Sequence, residues 1–403
     1  MSLISLDQAR ALLLDGVHPL DAETVPVDDA LGRTLAEPVV AAHTQPLEPR
    51  ATMDGIAIAA AAPEPGDSWT LAGEALAGAP SVVPLGPGEA VRIATGGVVP
   101  AGATRVLPQE ILSFKGDLVT LASEPGLARF VRDAGADFVA GDGLLDRGTV
   151  VGPAQAGLIA AANRATVEVV RRPRVAILTA GDELVAPGPT LEAGRTVDSA
   201  SHALGALIKG WGGEAQLYPI LPDRPDEITE TLRAAAPSCD IILCVGGASV
   251  GKRDFMRPAA VAAFGAEFVF EQIAVQPGRP CWHARSTAAK LIFGVPGNPT
   301  SAYVCAHLLL LPLLEALAGR SPGQALRRAY LASPVAANGS REQYLRATSS
   351  FDHDGRLIVD PVTDQDSGLQ ANLAKAQVLI RRLPGAAPRA PGDPVDVLKL
   401  TSA

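Results

Sequence analysis

The sequence predicts a multidomain α/β protein, and three observations carry that expectation. The chain has 403 residues, more than one hydrophobic core ordinarily serves, so two or more domains are expected. Between residues 173 and 319 apolar strand candidates alternate with helical segments, the pattern of a parallel-rich sheet covered on both faces in a three-layer domain. Stretches rich in Gly and Pro, with short β-like runs, occupy 50–124 and the region beyond 327 and read as smaller β modules.

In chain order, Ser5 followed three residues later by Gln8 is a capping signature, and the helix it opens ends at Gly16. The β-like runs 90–94, 105–107 and 118–121 mark the first β module. Residues 127–163 repeat Gly and Asp before a helical stretch near 154–162. The central domain then reads as RVAILTA (174–180), a helix over 199–210, EAQLYPI (214–220), a helix over 226–235, DIILCVG (240–246) and KLIFGV (290–295) with its following helix. Past residue 327 the turn residues Asp352, His353, Asp354 and Gly355 signal a hairpin in a small barrel or sandwich.

Composition excludes several classes. Apolar residues make up 47% of the chain and charged ones 19%, which argues against disorder. The net charge of -9 and the scattered basic residues disfavour nucleic acid and anionic membrane as partners. The four cysteines, Cys239, Cys244, Cys281 and Cys305, form no C-x-x-C pair and no zinc spacing, so they read as reduced core residues. The opening MSLISLDQAR has no cationic segment before a cleavable apolar run, and a cytosolic protein is expected. The most apolar stretch, 303–318, carries His307, Pro312 and Glu315 and falls short of the roughly 20 apolar residues of a membrane span, so it reads as a buried helix.

Three central strands run into small-residue loops: 181–183 with Glu183, 247–254 with Ser249 and Asp254, and 296–301 with Asn298. Strand C-termini of an open parallel sheet share one edge, so the loops are expected to face one pocket. Glycine lets the backbone approach an anion, and helix-opening N–H groups supply donors. Glu183 and Asp254 would place hard oxygen ligands beside a phosphate, as Mg²⁺ requires. Residues 246–253 read GGASVGKR, one residue short of a phosphate-loop pattern, and Arg253 stands where its metal-binding hydroxyl belongs. A nucleoside triphosphatase is therefore not expected.

These motifs, in order, resemble the molybdopterin molybdotransferase family (MoeA proteins and the gephyrin E domain). They are TMDGIAI with Asp54, GEALAG (73–78), RIATGGVVPAGA with Thr95 and Gly96, and the pair Gln109 and Glu110. Next come VRDAGAD with Arg132 and Asp137, TAGDELV with Glu183 and VDSASHAL with Asp198. The set closes with GGASVGKRD with Asp254, QPGRP with Arg279, and VPGNPTSA (295–302). The resemblance covers nearly the whole chain. It implies an extended discontinuous domain (1–48 and 125–170), a small β-rich domain (49–124), a central molybdopterin-binding α/β domain (171–322) and a C-terminal β-barrel-like domain (323–403).

The activity so implied is insertion of molybdenum from molybdate into adenylylated molybdopterin with release of AMP, by a Mg²⁺-dependent homodimer, with a molybdopterin adenylyltransferase as a possible partner. Cleaving a pyrophosphate-type bond beside an oxyanion needs charge neutralisation and placed donors more than a strong nucleophile. The resemblance makes Asp54, Glu183 and Asp254 catalytic, with Glu183 and Asp254 holding Mg²⁺ or orienting the attacking oxygen. Thr95, Gly96, Gly246, Gly247, Ser249, Gly251, Pro296, Gly297, Asn298 and Pro299 would contact substrate. Asp198 either contacts ligand or caps its helix, and Arg279 either meets an oxyanion or forms a surface ion pair. Ala51, Ile56, Thr104, Ala136, Ala200 and Gln276 depart from the family pattern. They motivate the alternatives: a non-catalytic or divergent pterin-binding scaffold, or a tungsten-inserting relative.

Overall fold

The computed structural model describes residues 3–79, 84–188, 190–246, 255–286, 291–323 and 325–400. The chain divides into two units, one made of Met1–Glu23, Gly32–Ala36 and Val169–Ala403, the other of Thr24–Leu31 and Glu37–Glu168.

In the larger unit, helix α1 (Leu6–Leu14) starts at a reciprocal cap. Ser5 Oγ accepts from the Gln8 N–H at 3.2 Å while Gln8 Oε1 accepts from the Ser5 N–H at 3.0 Å. The central sheet contains β1 (Arg174–Thr179), β2 (Glu214–Leu217), β3 (Ile241–Val245), β4 (Glu267–Phe270), β5 (Trp282–Arg285) and β6 (Leu291–Val295). Their order is β2-β1-β3-β6-β5-β4. β2, β1, β3 and β6 run parallel, as the alternating pattern predicts. β5 and β4 add an antiparallel edge that the pattern did not reveal.

Both faces of this sheet are covered. Ile177, Leu243 and Phe293 pack among residues of α1, α2 (Ala200–Gly210) and the helical run from Pro299 to Leu317. Leu178, Ile242 and Cys244 pack among residues of α3 (Pro225–Ala235) and α4 (Met256–Phe264). The 299–317 run consists of α5 (Pro299–Cys305), a π turn (Ala306–Leu310) and α6 (Leu311–Leu317). Pro312 has no N–H to give to Leu308, four residues back, which explains a loosened turn there. Arg10 Nε takes over that carbonyl at 2.9 Å. The run is long and apolar enough to cross a membrane, yet 83% of its window is buried inside the fold, as expected of a core helix. All four cysteines are buried, and none is in a disulfide.

The C-terminal part closes into a five-stranded barrel. Its strands are β7 (Arg327–Leu331), β8 (Glu342–Phe351), β9 (Leu357–Pro361), β10 (Val378–Arg382) and β11 (Pro394–Lys399). The ring runs β8-β9-β7-β11-β10 and returns to β8. Alternate inward residues such as Ala329, Ala347, Val359, Ile380 and Val397 fill it. Closure removes the exposed edges a small sheet would otherwise present. The β8–β9 hairpin turns at the expected Asp352, whose Oδ1 accepts from the N–H groups of Asp354 and Arg356 at 3.0 and 2.8 Å.

The smaller unit carries a six-stranded sheet in the order Arg105–Pro108, Gly55–Ile58, Glu89–Ile93, Ser68–Ala75, Leu118–Leu121, Leu112–Lys115. One face buries Ala57, Val91 and Val106, the other Ile56, Leu107 and Val119. Gly55 is required where it stands: a β-carbon on it would lie 1.8 Å from the Leu107 carbonyl oxygen.

Candidate active site

A cleft of about 500 Å³ opens at the C-terminal ends of β1, β3 and β6. From β1 the chain goes to β2 on one side and then to β3 on the other, so the cleft sits where the strand order reverses, the favoured ligand position in an open α/β sheet. Gly181, Glu183, Asp198, Gly246, Pro296, Gly297, Asn298 and Pro299 all line it, so two of the expected loops meet there with Gly246, the residue that precedes the third. Gly247, Ser249, Gly251 and Asp254 lie outside the described residues.

The cleft floor is made by backbones in close passage. Gly246 has φ +85°, and a β-carbon on Gly297 would stand 3.2 Å from the Gly246 Cα. Larger residues would wedge the ends of β3 and β6 apart. Two cleft-lining side chains hold buried polar atoms without a partner among the described residues, Thr179 Oγ1 and Asn298 Oδ1. Asn298 stands at the N-cap of α5 yet makes no side-chain bond to that helix. An unmet buried polar atom costs about 1–3 kcal/mol, so both groups are suited to a ligand's polar edge.

Three carboxylates line the cleft: Glu183, Asp198 and Asp223. Asp198 is buried and committed, accepting from the Ser201 N–H at 3.1 Å and from Ser201 Oγ at 2.6 Å. These bonds tie it to the opening turn of α2, as the capping role expects, while its place in the cleft lining leaves the ligand-contact role standing. Glu183 is exposed on the rim. Asp223, missed in the sequence reading, is placed by its N–H donating to Asp182 Oδ1 at 3.1 Å. The shared-edge rule pointed to it, since it follows the expected strand 214–220. Among the described residues no three His, Cys, Asp or Glu side chains form a metal-ligand set.

Arg279 does not line this cleft. It lines an adjoining hollow of about 260 Å³ with Gln276, Ser301 and Arg341, and Pro280 lines both spaces. Arg279 Nε donates to Gln272 Oε1 at 3.1 Å and Arg341 Nη2 to Gln276 Oε1 at 3.2 Å. Neither arginine is locked to a carboxylate by these bonds. The expected surface ion pair is replaced by an amide contact that leaves Arg279's charge available.

In the smaller unit, Asp54 Oδ1 accepts from the Thr95 N–H at 2.6 Å and from Thr95 Oγ1 at 2.8 Å. The backbone bond first, then the hydroxyl, hold the Asp54 carboxylate below its ordinary range. Thr95, expected to contact substrate, donates both its N–H and its hydroxyl to Asp54. Gly96 follows at φ +79°, and its carbonyl accepts from Arg50 Nη1 at 3.0 Å, which holds the turn.

Comparison with known proteins gives one answer along the whole chain. Residues 4–163 match the model of the MoeA N-terminal region (domains I and II), 176–316 a probable molybdopterin binding domain, and 328–400 the MoeA C-terminal region (domain IV). The molybdopterin molybdenumtransferase of Nostoc sp. is 35% identical over 311 residues, 75% of this chain and 71% of that protein. Molybdopterin molybdenumtransferase 2 of Mycobacterium tuberculosis is 31% identical over 348 residues, covering 83% and 85%. The crystal structure of the molybdopterin biosynthesis MoeA protein from Pyrococcus horikosii superposes with a TM-score of 0.85 at 27% identity, covering 100% of both chains.

Proposed function

The chain belongs to the MoeA family of molybdopterin molybdenumtransferases, and from that membership we propose that it inserts molybdenum from molybdate into adenylylated molybdopterin and releases AMP. Its place is in molybdenum cofactor biosynthesis. The observation that carries the reading is the cleft at the β1/β3 switch point, with glycine backbones for its floor and carboxylates on its rim.

Each group has a task there. By sequence, the glycine-rich segment from Gly246 through Gly247, Ser249 and Gly251 would offer backbone N–H groups to phosphate. Thr179 and Asn298, with Pro296, Gly297 and Pro299 shaping the wall, meet a polar edge of the substrate. Glu183 and Asp223 supply hard oxygen donors on one cleft, and Asp254 adds a third by sequence. That donor chemistry fits Mg²⁺, which takes one or two carboxylates and completes its shell from water and substrate phosphate. When bound, the ion would neutralise charge on the departing phosphate. Arg279 and Arg341 give the adjoining hollow the planar donors that a tetrahedral oxyanion such as molybdate accepts. In the smaller unit, Asp54, kept ionised by Thr95, is the carboxylate proposed to accept a proton in the reaction.

The proposal extends to a cytosolic homodimer with the four-part division of the sequence reading, supplied by a molybdopterin adenylyltransferase. Glu183→Gln and Asp223→Asn, assayed with adenylylated molybdopterin, molybdate and Mg²⁺, test the cleft. Each is expected to slow AMP release by about tenfold or more, as loss of a charge-stabilising group does, with an unchanged circular dichroism spectrum. Wild-type rates in both would place the reaction elsewhere.

A further inference from the structure

A hollow of about 190 Å³ on the sheet of the smaller unit is lined by Asp54, Glu74, Arg92, Gln109 and Phe114. We propose that it binds a flat, amino-substituted heterocycle stacked on the Arg92 guanidinium. Arg92 Cζ lies over the Phe114 ring, 5.0 Å from its centroid, so the ring backs the guanidinium on one side. The other face is left for a second π system, and an arginine plane is a stacking surface for bases.

The polar groups around this plate are unspent. Glu74 is the cross-strand partner of Arg92, yet among the described residues neither side chain is engaged in an ion pair or hydrogen bond. The Gln109 side chain is equally free, although its backbone N–H is fixed to the Asp54 carbonyl at 3.0 Å. Asp54 is tied through Oδ1 alone. The hollow thus offers one stacking plate ringed by carboxylate and amide acceptors, which suit the N–H donors of an exocyclic amino group. At about 190 Å³ it is smaller than the roughly 300–1,000 Å³ of pockets that enclose whole ligands. It takes one ring system and leaves the rest of the molecule outside.

Adenine and a pterin both carry that chemistry, and naming them as sources rests on the molybdotransferase reading. The test reads binding rather than turnover, so failure of one is distinguishable from failure of the other. Adenosine, inosine and neopterin are titrated into the full chain by calorimetry, with wild type, Arg92→Ala and Phe114→Leu compared after their folding is checked by thermal melting. We expect adenosine or neopterin to bind and to lose about tenfold or more in affinity in Arg92→Ala, the scale of one lost stacking contact. A smaller loss is expected in Phe114→Leu, where the guanidinium remains but its backing is gone. Inosine, with an oxo group in place of the amino group, should bind more weakly than adenosine if adenine is the source. A loss confined to adenosine assigns the adenine, and one confined to neopterin assigns the pterin. No binding of either at millimolar concentration, or equal binding by wild type and both folded variants, overturns the proposal.

Discussion

Asp54 illustrates how much of the chemistry is set by a single pair of residues. Its carboxylate is solvent-exposed, so burial does little, and the two Thr95 donors on one oxygen decide its ionisation. Removing the hydroxyl donor in Thr95→Val should therefore raise the Asp54 pKa toward the ordinary carboxylate value, and Thr95→Ser should restore it. Carbon-13 NMR titration of the Asp54 carboxyl reads this directly, and an unchanged midpoint in Thr95→Val would mean that the hydroxyl does not act. The acid limb of the turnover profile should move to higher pH with it, because less Asp54 is ionised at a given acidic pH. The sequence made Asp54, Thr95 and Glu183 legible through their motifs. It could not reveal that Thr95 faces Asp54, because that contact joins residues 41 positions apart. Asp223 was passed over because nothing in a lone Asp before Arg-Pro distinguishes it until the neighbouring strand ends are brought together.

The elements of the central sheet were legible where burial is two-sided. β1, β3 and β6 are near-continuous apolar runs, as strands covered on both faces must be. β4 and β5 were not, since each is only four residues long, Glu267–Phe270 and Trp282–Arg285, too short for its pattern to stand out from loop text. The structure supplies the reason for their composition. Trp282 pairs with Gly294 across β5 and β6, and its indole fills the space a side chain would need. A β-carbon on Gly294 would fall 2.0 Å from Trp282 Cε2, so Gly294→Ala should destabilise the protein by about 2–3 kcal/mol through overpacking. Chemical denaturation measures this, and a change under about 0.5 kcal/mol would show that the strand pair can relax.

His283 on β5 and His307 in the π turn are buried, and burial lowers each pKa from 6.5 to about 4. Both are neutral in the folded protein, whereas the unfolded chain takes up their protons below pH 6.5. The stability they permit is thus present above about pH 6.5 and lost as pH falls toward 4, on the order of 3 kcal/mol for each. His307→Phe, which keeps a ring against Trp211 and Tyr303, should flatten the fall in unfolding free energy between pH 7 and 5. An unaltered slope would show that His307 is not a source of the acid sensitivity.

At the scale of the whole molecule, order along the chain was the strongest signal. Each motif alone is common, but their sequence from Asp54 to Asn298 implied the family that the comparisons then established over residues 4–400. The short strands past residue 327 left barrel and sandwich open and the family resemblance implied the barrel, whose closure rests on the β8–β10 pairing between residues some 35 positions apart. Coupling of molybdenum insertion to AMP release is read by following both products in one reaction of the purified chain with adenylylated molybdopterin, with and without molybdate. One AMP is expected for each molybdenum atom incorporated, and little AMP when molybdate is withheld. AMP released at the same rate without molybdate, or molybdenum bound with no AMP formed, would contradict that coupling.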